Sequence, residues 1–238
     1  MPLADTTALV LAGGQGMRLR DLVPDLPKPM APVQGRPFLA WLLDYWIAQG
    51  VRRFVLSVGY RREAIEAHFG DGYRGAALEY AAETEPLGTG GALLQAARRL
   101  SGTQAFLLLN GDTYFEAELA SLRELHRKSG AQWTFALARR SDAAGGLGVR
   151  LAQDGRVSAL EGDLLNGGVC LVEPALVAGW QLHTRRPLSI DDDLLPAALA
   201  DGAPLYGLEC AGRFIDIGTP ENYRRAQRRL GGRADAGA

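Results

Sequence analysis

The 238-residue sequence has few cysteines, almost no net charge, and no apolar run near the roughly 20 residues needed to cross a bilayer. Two cysteines are too few for a disulfide framework. Cys170 and Cys210 lie in apolar surroundings at no metal-ligand spacing, so both are predicted to be buried free thiols. The net charge of −1 argues against a nucleic-acid or membrane surface. No signal peptide is recognisable, so we expect a cytoplasmic protein whose partners are small molecules.

Two common nucleotide-binding motifs are also missing. No Gly-x4-Gly-Lys-Ser/Thr loop occurs, and the third glycine of the dinucleotide fingerprint falls on Leu19. What is present is an apolar run that ends in Gly13-Gly14-Gln15-Gly16, followed by Arg18 and by Lys28 between two prolines. Glycines let backbone N–H groups converge on an anion, and the two cations supply full positive charge. The segment therefore predicts a phosphate site, with a plain glycine-rich turn as the alternative.

Apolar runs alternate with helix-period segments through the first half of the chain, which is typical of a parallel sheet with crossover helices. We predict one doubly wound α/β domain over 1–230, with a mixed second half and a disordered tail over 231–238. Predicted strands are 8–11, 54–58, 77–82, 105–109, 133–138, 148–151, 157–160, 169–172, 203–208 and 214–217. Predicted helices are 37–49, 61–69, 88–100 and 116–128, with three more beginning at Pro174, Ser189 and Thr219.

Four motifs in this order resemble those of the sugar-1-phosphate nucleotidylyltransferases. They are Gly13-Gly14-Gln15-Gly16-Met17-Arg18-Leu19 with Pro27-Lys28-Pro29, then Glu83 to Gly91, then Leu109-Asn110-Gly111-Asp112, then Phe214 to Tyr223. The resemblance implies a Rossmann-like mixed sheet of the nucleotide-diphospho-sugar transferase (GT-A-like) type with a small sugar-binding lobe. Within that family, residues 28–39 and Ile215 to Gly218 are most similar to the D-glycero-α-D-manno-heptose 1-phosphate guanylyltransferases.

The resemblance also implies a role for particular residues. Arg18, Lys28 and Asp112 are expected to be catalytic, and Asp112 and Asp216 to hold Mg²⁺. The nucleotide is expected to lie on Leu11, Ala12, Gly13, Gly14, Gly16, Glu83, Gly88 and Thr89, and the sugar phosphate on Gly148, Glu161, Asn166 and Gly167.

The positions of the two aspartates fit that expectation. Asp112 follows an apolar strand, which places it at the sheet edge where open α/β folds bind ligands. Asn110-Gly111 is also a hairpin signal, but the helical pattern that follows disfavours a returning strand. Asp216 ends another strand, and Thr219 can cap the last helix, which leaves the Asp216 carboxylate free for a metal.

One position departs from the family. A lysine that contacts the sugar phosphate usually follows the glutamate matching Glu161, whereas this chain has Gly162 and no lysine after Lys128. An arginine has to replace it, and Arg139, Arg150 and Arg213 are the candidates.

Two further groups are assigned structural roles. Asp191-Asp192-Asp193 is interpreted as the acidic first turn of a helix capped by Ser189, with metal binding as the alternative. The three histidines, His68, His126 and His183, share no spacing and are predicted to lie on the surface.

The expected activity is Mg²⁺-dependent transfer of GMP from GTP to a heptose 1-phosphate, with release of pyrophosphate, for bacterial surface polysaccharide. Alternatives within the family are uridylyl transfer to N-acetylmuramate 1-phosphate, thymidylyl transfer to glucose 1-phosphate and guanylyl transfer to mannose 1-phosphate. A glycosyltransferase that consumes nucleotide sugars and a non-catalytic nucleotide sensor are the alternatives from other classes. A homo-oligomer is compatible with the sequence.

Overall fold

The computed structural model describes residues 6–100, 104–140, 146–180 and 187–230; His183 and the predicted tail 231–238 lie outside these ranges. The strands are β1 Thr7–Leu11, β2 Pro32–Val33, β3 Arg36–Pro37, β4 Arg53–Val58, β5 Gly72–Tyr73, β6 Ala76–Ala82, β7 Phe106–Asn110, β8 Thr113–Phe115, β9 Trp133–Arg139, β10 Gly148–Leu151, β11 Val157–Val172, β12 Leu205–Glu209 and β13 Phe214–Asp216. The α-helices are α1 Phe38–Ala48, α2 Arg62–Phe69, α3 Gly88–Ala97, α4 Leu119–Ser129, α5 Pro174–Ala178, α6 Leu195–Ala200 and α7 Pro220–Arg229.

Nine of the described strands form one sheet in the order β12-β9-β11-β7-β1-β4-β6-β5, with β10 paired to β11. β1 is parallel to β4 and β7, and β4 is parallel to β6, whereas β11 is antiparallel to β7, β9 and β10. The predicted mixed sheet, parallel in its first half, is thereby confirmed.

Helices cover both faces of the sheet because the central strands are apolar on both sides. Alternate residues of β1 face opposite ways: Val10 packs in a core with α1, α2 and α4, whereas Leu9 packs in a second core with α3 and α6. The doubly wound arrangement predicted from the alternating pattern is confirmed. A third, smaller core joins α7 to β13 and to the short hairpin β2–β3.

Several local predictions are confirmed at the level of single residues. The first long helix ends at Ala48, and Gly50 follows with φ +97°, a left-handed conformation that stops the helix. The Oγ1 of Thr219 accepts a hydrogen bond of 3.2 Å from the backbone N–H of Asn222 at the start of α7. The Oγ of Ser189 accepts one of 3.1 Å from the N–H of Asp192, although the turn it caps, Ile190–Leu194, is π-helical before α6 begins.

Two predictions of secondary structure are corrected. The helix expected over 116–128 begins only at Leu119, because the preceding Thr113–Phe115 forms β8, which pairs with β13. The chain therefore does not return along β7, and the hairpin alternative at Asn110-Gly111 is wrong. The strands expected over 157–160 and 169–172 are parts of the single strand β11, because β10, β9 and β7 in turn supply its hydrogen-bonding partners.

Two predictions of burial are also wrong. His126 is 6% exposed instead of lying on the surface, and it hydrogen-bonds the Oγ1 of Thr134 at 2.8 Å and a carboxylate oxygen of Glu173 at 3.2 Å. Cys170 is a buried free thiol as predicted, but Cys210 is only partly buried. His68 is exposed as expected. Among the described helices, none is long and apolar enough to span a membrane.

Candidate active site

The four parallel strands β1, β4, β6 and β7 all end at one cavity of about 510 Å³. The residues that line it come directly after those strands, because the carboxyl ends of parallel strands share one edge of the sheet. Its lining comprises Leu11, Ala12, Gly13, Gly14, Gln15, Lys28, Pro29, Gly59, Tyr60, Glu83, Thr84, Glu85, Pro86, Gly88, Thr89, Ala92, Asn110 and Asp112. The structure thus brings together two predicted catalytic residues and all the predicted nucleotide residues except Gly16.

Close packing under the first loop explains why glycine occupies position 13. A β-carbon there would collide with the carboxylate of Glu83 and lie 3.3 Å from the backbone nitrogen of Gly59. The Glu83 carboxylate is itself held by the Ser57 hydroxyl at 3.2 Å and by the backbone N–H of Leu87 at 3.3 Å. The Glu83 carboxylate therefore contacts residues at the ends of β1, β4 and β6 and holds these segments together in the cavity wall.

Lys28 enters the cavity from a short 3₁₀ turn, and its ammonium nitrogen contacts the carboxylate of Asp112 directly. Its side chain is 12% exposed and that of Asp112 is 33% exposed, so the pair is shielded from most of the solvent but remains open to a ligand. Gly16 does not line the cavity but packs against the side chain of Lys28. Its φ of +58° favours glycine, and a β-carbon added at this position would lie only 2.9 Å from the β-carbon of Lys28.

Asp216 lies beside Asp112 although 104 positions separate them in the chain. Strand β13 pairs with β8 so that Asp216 is opposite Thr113, and the N–H of Ile217 donates to the carbonyl of Asp112 at 3.0 Å. Burial, reinforced by the charge of Asp112, raises the pKa of the Asp216 carboxyl. Two carboxylates that repel each other at the edge of a nucleotide-sized cavity make a suitable site for a divalent cation.

Arg18 is placed differently from Lys28. It is exposed on the 3₁₀ turn Met17–Leu19 and does not line the cavity, although its positive charge is close enough to lower the pKa of Asp216 slightly against the larger effects that raise it. Its exposed position leaves the guanidinium accessible to a ligand that protrudes from the cavity.

The four predicted sugar-phosphate residues lie on β10 and β11, next to the cavity in the sheet order. Asn166 accepts a hydrogen bond of 3.1 Å from the N–H of Gly168, and the neighbouring Gly167 packs against the ring of Phe115. Gly148 begins β10, and Glu161 on β11 has a largely exposed carboxylate.

The three arginines proposed as replacements for the missing lysine differ in their distance from Glu161. Arg139 pairs with Glu209, and Arg213 lies 3.8 Å from Glu116, so both side chains are engaged away from Glu161. Arg150 lies 3.7 Å from Glu161. Arg140, which was not among the three candidates, donates to the carbonyl of Gly162, the residue after Glu161, at 3.2 Å.

Sequence reasoning also missed Gly59, Tyr60 and Asn110, which line the cavity. The guanidinium of Arg20 lies 4.8 Å from the centre of the Tyr60 ring and fixes that ring at the rim. A signal was available for all three, because each ends or follows a predicted parallel strand at the same edge of the sheet as Asp112.

The fold and the site define the class of protein: an α/β protein with a cavity at the carboxyl edge of its parallel strands, lined by Lys28 and Asp112, with Asp216 next to Asp112 outside the lining. The chain matches the nucleotidyl transferase family over residues 7–161. It is 37% identical to the D-glycero-α-D-manno-heptose 1-phosphate guanylyltransferase of Aneurinibacillus thermoaerophilus, over 94% of this chain and 97% of that protein. The protein therefore belongs to the nucleotidyl transferase family.

Two further relatives extend the comparison. The chain is 37% identical to the mannose-1-phosphate guanylyltransferase of Mycobacterium tuberculosis, over 92% of this chain and 62% of that longer protein. The crystal structure of HddC from Yersinia pseudotuberculosis complexed with GMP-PN superposes with a TM-score of 0.81 at 27% identity, covering 94% of this chain and 99% of that one.

Proposed function

We propose that this protein transfers GMP from GTP to a sugar 1-phosphate, foremost D-glycero-α-D-manno-heptose 1-phosphate, and releases pyrophosphate. The observation that carries the proposal is that Lys28 and Asp112 meet in the cavity formed by the parallel strands, with Asp216 beside Asp112. The guanylyltransferase names of the relatives and the GMP-PN bound to HddC support guanine as the base.

The reaction joins two anions, because a phosphate oxygen of the sugar must approach the α-phosphorus of the triphosphate. A site for it has to neutralise charge and align the nucleophile opposite the leaving pyrophosphate. Lys28 lies inside the cavity, where a charge interacts strongly because little water screens it, and the exposed Arg18 can reach phosphates at the mouth.

Asp112 and Asp216 fit Mg²⁺, which takes oxygen ligands and commonly binds one or two carboxylates together with phosphate oxygens. When bound, the ion supplies neutralisation of phosphate charge. Lys28 already contacts Asp112, so the same carboxylate orients the ammonium group toward the phosphate end of the cavity.

Glu83 is compatible with guanine, as with any base that carries an amino group. An ionised carboxylate only accepts hydrogen bonds, and guanine carries an amino group that donates them. Within the described ranges, each Glu83 oxygen has one protein donor, from Ser57 or Leu87, and so keeps capacity for a second. Since Glu83 lines the cavity, its remaining acceptor capacity is available to a base.

The experiment that tests the proposal measures pyrophosphate release with Mg²⁺ for GTP, UTP, dTTP, CTP and ATP, each against heptose, mannose, glucose and N-acetylmuramate 1-phosphates. A dominant rate with GTP and heptose 1-phosphate is expected. A dominant rate with GTP and mannose 1-phosphate would shift the acceptor to the second candidate, which the 37% identity to the mannose-1-phosphate guanylyltransferase favours. Release of pyrophosphate in no combination would refute the proposal.

Supply of an activated sugar for bacterial surface polysaccharide, in the cytoplasm, is the role we propose for the product. A nucleotide sugar is the donor for glycosyltransferases, so a glycosyltransferase reaction must consume it. Loss of the GDP-sugar from cell extracts on deletion of the gene is the expected result.

A further inference from the structure

A second, smaller recess lies next to the cavity proposed for the nucleotide (the nucleotide cavity), and three residues of its lining, Trp133, Cys170 and Asp191, have no part in the proposed mechanism. Its volume is about 50 Å³, and Thr89 and Asn110 line both the recess and the nucleotide cavity. The rest of its lining includes Trp133, Asn166, Cys170 and Asp191. Because Asn166 is on β11, the recess lies between the nucleotide cavity and the strand that carries the predicted acceptor residues.

The indole N–H of Trp133 has no oxygen acceptor in this recess among the described residues. Trp133 is 0% exposed, and its Nε1 has no hydrogen-bond partner in the described part of the chain beyond weak contact with the thiol of Cys170. A buried donor without an acceptor costs about 1–3 kcal/mol, and buried donors are rarely left in that state. An oxygen atom of a ligand in the recess would satisfy it.

Asp191 contributes hydrogen-bond acceptors to the recess, whereas Trp133 contributes a donor. Its carboxyl is partly buried, burial raises its pKa, and the side chain of Asn166 donates a hydrogen bond to it. The backbone segment is anchored, since the N–H of Ile190 donates to the Oγ1 of Thr89 at 2.9 Å. An ionised carboxylate has about four acceptor sites, so Asn166 leaves room for donors from a ligand.

We propose that this recess receives a hydroxyl-bearing edge of the acceptor sugar, with Asp191 accepting a hydrogen bond from one hydroxyl and the Trp133 N–H donating to a hydroxyl oxygen. The inference rests on the proposed function and deepens it by naming two residues that select the sugar. A hydroxyl both donates and accepts, so vicinal hydroxyls match an acceptor facing a donor. The Asp191 carboxylate disfavours binding of an anion in the recess, and the indole N–H of Trp133 disfavours binding of a metal ion.

The size of the recess agrees with this occupant. A water needs roughly 10–15 Å³ measured in this way, so about 50 Å³ holds a hydroxymethyl or diol group but neither a base nor a whole pyranose ring. The rest of the sugar then lies between the recess and the nucleotide, near Asn110 and Asn166.

The test compares Asp191→Asn with Asp192→Asn. Both changes remove one carboxylate charge from the same turn, but Asp192 is exposed and hydrogen-bonds the hydroxyl of Ser189. Steady-state kinetics are measured for GTP and for the sugar 1-phosphate that the wild type uses best. We expect Asp191→Asn to lower kcat/KM for the sugar phosphate about 10–100-fold and to leave the KM for GTP unchanged, because hydrogen bonds to charged groups contribute that much. Asp192→Asn is expected to match the wild type.

Trp133→Phe removes the indole donor and is expected also to lower kcat/KM for the sugar phosphate. Because this substitution leaves a void, the melting temperature of the variant is measured alongside. Asp191→Asn is nearly isosteric, so its result does not depend on that variant. Monodeoxy analogues of the sugar phosphate give a second readout. One analogue should lose activity with the wild type but lose little more with Asp191→Asn, since the partner hydroxyl is already absent.

Three outcomes would overturn the inference. If the wild type is active and Asp191→Asn is unaffected, the role of the recess is refuted while the proposed function stands. The same holds if Asp191→Asn raises the KM values for GTP and the sugar phosphate together. A wild-type protein that turns over no sugar 1-phosphate with any nucleotide would refute the proposed function and the inference with it.

Discussion

Replacing Lys28 by methionine is the sharpest test of the proposed site, because methionine keeps an unbranched apolar side chain and removes only the charged end. Lys28 is one of two lysines, and its side chain is 12% exposed inside the cavity. It contacts Asp112, so its position does not depend on a bound substrate. A charge held in place before the reaction loses no energy to reorganisation when charge develops on the phosphates.

The magnitude follows from the position of the charge. Two unit charges about 4 Å apart at an effective dielectric constant of about 20 interact by about 4 kcal/mol. Removal of one preorganised group costs about 10²–10³ in kcat, or about 2.7–4 kcal/mol. We therefore expect Lys28→Met to lower kcat by about 10²–10³, with a smaller change in the KM for GTP.

The other lysine provides the matched control. Lys128 is 63% exposed on α4 and pairs with Glu124 one turn away, an interaction of about 0.3–0.5 kcal/mol. Lys128→Met should therefore leave pyrophosphate release unchanged. Pre-steady-state measurement of the chemical step separates catalysis from product release. If Lys28→Met raises only the KM for GTP and leaves kcat intact, Lys28 binds ground state and transition state equally and the reasoning is refuted.

Three further predictions concern other groups. Asp112→Asn and Asp216→Asn should each abolish turnover at millimolar Mg²⁺ while circular dichroism stays unchanged; near wild-type rates in both would place the metal elsewhere. Arg140→Met should raise the KM for the sugar phosphate about tenfold without changing that for GTP, and an unchanged KM would leave Arg150 as the candidate cation. Burial lowers the pKa of His126, so the folded protein disfavours its charged form. Stability should be full above the ordinary pKa of about 6.5 and fall as the pH drops below it. Thermal unfolding at pH 7.5, 6.5 and 5.5 should show that loss, and His126→Gln should reduce it; equal slopes in both proteins would contradict this account.

Local signals were sufficient for much of the fold. Thr219 as a helix cap, Gly50 as a helix stop and the apolar strands before Gly13 and Asp112 depend on interactions within a few residues, and all were predicted correctly. The edge of the sheet that holds the cavity followed from the same pattern, because parallel strands joined by helices must present their carboxyl ends together.

Other features depend on contacts between distant segments. The short strand β8 exists because β13 pairs with it, and that pairing is what sets Asp216 beside Asp112. His126 is buried because Thr134 and Glu173, on and after neighbouring strands, satisfy both ring nitrogens. No local pattern contains these partners.

The acidic run at 191–193 illustrates the division most clearly. The sequence alone determined that Ser189 caps a helical turn there, since the cap and its N–H partner are three residues apart. Only the tertiary structure decided that Asp191 and the indole N–H of Trp133, which has no oxygen acceptor among the described residues, line one recess beside the cavity at the sheet edge. Hydrogen bonding within a turn depends on sequence spacing, whereas the meeting of two buried polar groups depends on how the sheet and its covering helices pack.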